Sequence, residues 1–141
     1  MADNNRRKFK SPEPGRGKHV APRPPVSESS GQQPPAFSLR YLQKDWGLAE
    51  CDKDEKAAFA DTLHKLSQMT WAEIRAAPRH GSGTEKIARN EIKAPIPSHV
   101  TEDVDFLALR FSGKKAMVGY RDGILFHVLW LDREFRLYDH G

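Results

Sequence analysis

The strongest constraint on this chain lies near its C-terminus, where Asp122-Gly123 separates KAMVGYR (115–121) from ILFHVLWLD (124–132). Asp-Gly between two apolar runs signals a two-residue hairpin, because both loop positions of a type I′ turn need positive φ. The second run is almost continuously apolar, as expected of a central strand covered on both faces. VDFLALRF (104–111) precedes the pair across a turn at Ser112-Gly113-Lys114, and RLYDH (136–140) offers a last short strand. With Asp122-Gly123 as the loop, Arg121 pairs with Ile124, Tyr120 with Leu125, Gly119 with Phe126 and Val118 with His127. Alternation then gathers Val118, Tyr120, His127 and Leu129 on one face, and Arg121, Phe126, Val128 and Trp130 on the other. One of the two faces should carry helices.

Those helices are written upstream. Phe37-Ser38-Leu39-Arg40-Tyr41 alternates apolar and polar, the period of a half-buried strand. Asp52 or Asp54 can cap a helix whose Phe59, Leu63 and Leu66 fall at i, i+4 and i+7. Thr70 and Glu73 have capping-box spacing for a second helix, TWAEIRAA, which Pro78 ends. Residues 79–100 are glycine-rich, then mixed, then stopped by Pro95 and Pro97, with room for a short helix or strand in EKIARNEI. A connection this long is often functional. The fold class is therefore α+β: a small antiparallel β-sheet, made of a C-terminal meander of three or four strands plus an N-terminal strand, packed by two helices.

Charge divides the chain in two. Of 23 Lys+Arg and 19 Asp+Glu, residues 1–36 hold seven basic and three acidic side chains, so the whole excess of +4 sits there. That segment also carries seven of the ten prolines and few large apolar residues. It cannot bury enough surface to offset roughly 1–2 kcal/mol of backbone entropy per residue, and reads as a disordered basic tail. As a function, it suits either an electrostatic arm for a polyanion or a solubilising leader. Residues 37–141 form one domain, large enough for a core of its own. A single cysteine, Cys51, excludes an internal disulfide and a multi-cysteine zinc site. No apolar run reaches the roughly 20 residues of a membrane span, and no signal-peptide segment follows the basic start. A soluble cytoplasmic protein without membrane partners is expected.

The order of strand, helical pair and C-terminal meander, ending in Arg136-Leu137-Tyr138-Asp139-His140, resembles the RelE/YoeB-type toxin superfamily. The phrases IKAPIP, FHVLWLD and LYDHG also look like those of small bacterial and phage proteins. The toxin resemblance covers residues 37–141. It implies a metal-independent endoribonuclease of the mRNA interferase type, with RNA or the ribosome as target and an antitoxin-like protein as partner. It implies no cofactor.

Cleavage of RNA without a metal requires a base for the 2′-hydroxyl, an acid for the 5′-oxygen and a cation at the phosphate. The residues of matching type are Arg110, Arg121, His127, Arg136, Tyr138 and His140. Period-2 spacing would align Arg136, Tyr138 and His140 in one row. In this reading His140 is the acid or base, Tyr138 stacks or transfers a proton, and Arg121 and Arg136 clamp the phosphate. Lys114 and Lys115 at a hairpin tip could hold the RNA backbone. His80-Gly81-Ser82-Gly83-Thr84-Glu85-Lys86 could form an anion-binding nest, with His80 and Lys86 beside it, or simply a flexible turn. Each candidate has a plainer counterpart: a structural histidine at His127, locally paired arginines at 110 and 121, a packed Tyr138 and a frayed His140. No metal-ligand spacing stands out. The main alternative is a non-enzymatic module binding protein or nucleic acid on the same fold. A degenerate or regulatory member of a phage or mobile-element locus is a third.

Overall fold

The computed structural model describes residues 30–78 and 81–140. Most of the tail expected to be disordered, and His80, lie outside the described residues. The body begins earlier than Phe37. Ser30 is buried, and its hydroxyl accepts a hydrogen bond from the Arg121 guanidinium at 2.9 Å. The Gln33 carbonyl accepts one from the Trp71 N–H.

The elements are β1 (Ala36–Ser38), α1 (Lys53–Leu66), α2 (Trp71–Ala76), β2 (Glu85–Ile87), β3 (Phe106–Ser112), β4 (Lys115–Asp122) and β5 (Leu125–Asp132), with single 3-10 turns at Leu48–Glu50 and Arg89–Glu91. The strands form one sheet in the order β1-β5-β4-β3-β2. It is an α+β fold, and the sheet is mixed. β1 runs parallel to β5, while the other neighbours are antiparallel. β1 is shorter than the alternation over 37–41 suggests. The Ser38 hydroxyl accepts from the Arg40 N–H and turns the chain away after three residues.

The helix starts follow the sequence closely. Asp52 caps α1 and Thr70 caps α2, each closing a capping box with Glu55 and Glu73. Phe59 and Leu66 of α1, with Trp71 and Ile74 of α2, pack on Leu109, Phe111, Met117, Phe126, Val128 and Leu131. The helices thus cover the face that carries Arg121 and Phe126. The opposite face holds Phe106, Ala108, Ala116, Val118, Leu129 and Trp130 under Ile87, Ala94, Val100, Leu137 and Tyr138. Burying a side chain of Phe size contributes roughly 2–3 kcal/mol, so the two layers together hold β5 fast from both sides.

The β4–β5 hairpin differs from expectation by one residue. Asp122 pairs with Leu125, Arg121 with Phe126, Tyr120 with His127 and Gly119 with Val128. The loop is therefore Gly123-Ile124, and Gly123, at φ 68°, supplies the positive φ that a type II′ turn needs at its first position. The register then shifts between Gly119 and Val118, so that Val118 pairs with Trp130 and Leu129 is the extra residue of a β-bulge. The bulge turns Trp130 onto the same face as Leu129, away from Phe126 and Val128 with which alternation had grouped it. Gly119 sits where the strands press closest. A Cβ there would lie 1.8 Å from the His127 carbonyl oxygen, which only glycine avoids.

Residues 136–140 form no strand. The Asp132 carboxylate accepts hydrogen bonds from the Arg136 and Leu137 N–H groups at 2.8 and 3.2 Å, taking donors that a ladder would need. The fourth antiparallel strand is instead β2, drawn from the EKIARNEI stretch.

Candidate active site

Four of the sequence candidates converge. On the face opposite the helices, Arg110, Lys114, Tyr138 and His140 line one cleft of about 500 Å³, together with Glu85 and Phe135. Its floor is Ala108 and Ala116, whose small side chains leave the space that larger residues fill elsewhere on this face. Arg110 comes from β3 and Lys114 from the β3–β4 loop. Glu85 comes from β2, in register with Ala108. The wall opposite is the C-terminal segment.

That segment is held by one buried carboxylate. Asp132, with no exposed surface, ends β5 and faces the cleft side, because it pairs with Ala116. Its Oδ1 receives the Arg136 and Leu137 N–H groups, and its Oδ2 lies 2.9 Å from Nε2 of His140. An ionised carboxylate only accepts, so this contact puts the proton on Nε2 and leaves Nδ1 as the imidazole's basic nitrogen. The ring is held further by stacking on Tyr138 at 4.0 Å and by Phe135, perpendicular to it at 5.1 Å. The Lys93 N–H donates to the Leu137 carbonyl, and the Lys93 ammonium to Asp139, which is thereby held below the usual carboxylate range. His140 is therefore fixed, although it is next to the last residue.

The cleft's two cations differ in kind. Arg110 is half-buried in the strand and Lys114 stands exposed at the loop tip. Among the described residues neither forms an ion pair. A guanidinium and an ammonium beside one imidazole suit a phosphate oxyanion.

The other candidates stand elsewhere. Arg121 is on the helix face, where its guanidinium donates to the Gly123 carbonyl and Ser30 and lies 4.4 Å over the Trp71 ring. Burial, and then the nearby Arg75, push its pKa down. Arg136 turns from the cleft, pairing with Glu134 at 3.0 Å and covering the Trp46 ring at 5.0 Å. The Arg136/Tyr138/His140 row is thus reduced to its last two members. Lys86 is exposed and faces Asp105 at 3.5 Å. The glycines beside His80 do not leave their N–H groups open to an anion: Gly81 and Gly83 both donate to the Pro78 carbonyl at 3.0 Å.

His127 belongs to a separate aromatic group that sequence reasoning did not assemble. It stacks on Tyr120 at 4.7 Å and lies 5.5 Å from Tyr41, which in turn packs on His99 at 4.1 Å. Nε2 of His99 is 3.1 Å from the Tyr120 hydroxyl. Burial lowers the His127 pKa, opposed by Asp122 and assisted by His99. This group ties two loops to the sheet, away from the cleft.

Lys115 also serves the fold. It meets Glu55 at 2.6 Å, and Arg133 meets the same carboxylate at 2.8 Å, with the Asp52 N–H donating to it as well. Chiefly through the Arg133 hydrogen bond, and against the cost of burial, the Glu55 carboxyl is lowered to about 2. A depressed folded value means stability that is present above the ordinary carboxylate pKa of about 4.3 and lost as pH falls toward 2. Acid unfolding followed by circular dichroism should therefore show a loss of stability between about pH 4 and pH 2. Glu55→Gln should remove most of that dependence while lowering the melting midpoint at pH 7.

Cys51 is buried, and burial pushes its thiol up, the reverse of an activated nucleophile. Among the described residues, no three His, Cys, Asp or Glu side chains cluster as a metal site would. Among them, too, no helix is long and apolar enough to cross a membrane. No protein-family model, curated protein or solved structure matches the chain.

Proposed function

We propose that the cleft cleaves single-stranded RNA by attack of a 2′-hydroxyl on the adjacent phosphate. The observation that carries this reading is His140, held from behind by the buried Asp132, in one cleft with Arg110 and Lys114. Nδ1 of His140 takes the 2′-hydroxyl proton while Nε2–H stays bonded to Asp132, which stabilises the imidazolium as it forms. Arg110 binds the non-bridging oxygens, where charge builds as the 2′-oxygen bonds to phosphorus. The departing 5′-oxygen takes a proton from the Lys114 ammonium or from water. Tyr138 holds the imidazole plane by stacking and is not needed as a proton carrier. With cationic side chains placed at the phosphate, the step needs no metal ion. The toxin resemblance of residues 37–141 supports the same chemistry.

The test is incubation of the purified full-length chain, with a chelator present, with single-stranded RNA and with DNA of the same sequence. RNA should be cut and DNA left intact, because DNA lacks the nucleophile. Binding of the RNA without cleavage would replace this proposal with the binding-module alternative. Cleavage of both polymers would point to an attacking water instead.

A further inference from the structure

Phe135 is out of place by every ordinary rule. Its φ is 58°, in the left-handed region, where a bulky side chain is a true outlier and glycine or asparagine is at ease. The only other non-glycine residue with positive φ among those described is an aspartate, Asp45, a type that tolerates it. Burial does not offset the strain, because Phe135 is 45% exposed, the most exposed large apolar side chain described. Its ring lies at the cleft, perpendicular to His140, and shares that cleft with Arg110 and Lys114.

Strained residues cluster where a side chain must be presented rather than packed. An exposed aromatic ring beside two cations fits a ligand with a flat π-face joined to an anion. A nucleotide has both. We propose that Phe135 is a stacking platform for a nucleobase whose neighbouring phosphate rests on Arg110 and Lys114, so that the cleft grips its substrate by base as well as by backbone. This rests on the cleft being the RNA site, and adds that one nucleobase is held there. Because every base offers a π-face, the platform favours single-stranded over paired RNA without demanding one sequence.

The experiment uses the full chain and a short oligonucleotide with 2′-deoxy sugars, which cannot be cut by 2′-hydroxyl attack. Binding is followed by fluorescence anisotropy, for the intact oligonucleotides and for others made abasic at single positions in turn. The basic N-terminal residues contribute about equally to all probes, so their effect cancels in the ratio. Loss of the seated base should weaken binding on the order of tenfold. In Phe135→Gly that difference should disappear, while the melting midpoint stays at or above the wild-type value because the left-handed residue is now glycine. Phe135→Tyr should retain the difference, showing that the ring matters. RNA cleavage combined with equal binding of intact and abasic probes would overturn the platform and leave the cleavage site standing. If no oligonucleotide bound at all, both proposals would fall.

Discussion

Replacing Asp132 by alanine should destabilise the protein by about 4 kcal/mol, near the upper end for loss of one side chain. The carboxylate is fully buried and receives three donors: the Arg136 N–H, the Leu137 N–H and Nε2–H of His140. Alanine would leave the two backbone donors without their acceptor, and unsatisfied buried groups cost roughly 1–3 kcal/mol each. It would also release the segment that keeps Leu137 and Tyr138 buried over the sheet. For a domain of this size, a thermal melt should show the midpoint fall by well over 10 °C. Asp132→Asn separates the two roles of the residue. Its amide oxygen can still accept both backbone N–H bonds that Oδ1 receives, so the loss should be smaller, but the charge that orients and supports the imidazole would be gone. If Asp132→Ala melted within a few degrees of wild type, the C-terminal segment would not be held as described.

Replacing His140 by alanine should reduce RNA cleavage by about 10²–10⁴-fold, the range expected for loss of a positioned acid–base group. The variant should also lose roughly 1–3 kcal/mol of stability, because Oδ2 of the buried Asp132 is left without its donor. An alanine variant that folded normally and cut RNA at the wild-type rate would remove His140 from the chemistry. Single-turnover kinetics on a fluorescent RNA would decide the matter, because they separate the chemical step from product release.

How much of this could be read from the chain depends on the range of the interactions involved. The second helix cap was legible because Thr70 and Glu73 act within a single turn, whereas the first was left between Asp52 and Asp54 until the box with Glu55 identified Asp52. The apolar run over 124–132 announced β5 as a strand covered on both faces. The hairpin register was missed by one residue because Asp122-Gly123 suits one turn type and Gly123-Ile124 another. The bulge at Leu129 had one signal, Gly119 inside the facing strand, but that glycine does not say which residue of β5 is extra, and the bulge moved Trp130 across the sheet.

The site divides in the same way. Arg110, Lys114, Tyr138 and His140 were legible as residue types, and the structure brings them to one cleft. Arg121 and Arg136 were not separable from them by sequence. Their partners include Ser30, 91 residues away from Arg121 in the chain, and the Trp46 ring, distant from Arg136. Asp132 gave one signal that could have been used, a carboxylate ending an otherwise apolar strand. Glu85 was visible only as part of a glycine-rich stretch, and Phe135 gave no signal, because a φ of 58° cannot be read from its neighbours.

The central claim is that a 2′-hydroxyl, activated by His140, is the nucleophile. It is tested most directly by mass spectrometry of the ends left on a defined single-stranded RNA after exposure to the full-length protein. The account predicts a 2′,3′-cyclic phosphate on the upstream fragment and a 5′-hydroxyl on the downstream one. A 5′-phosphate on the downstream fragment, or RNA recovered whole, would contradict it.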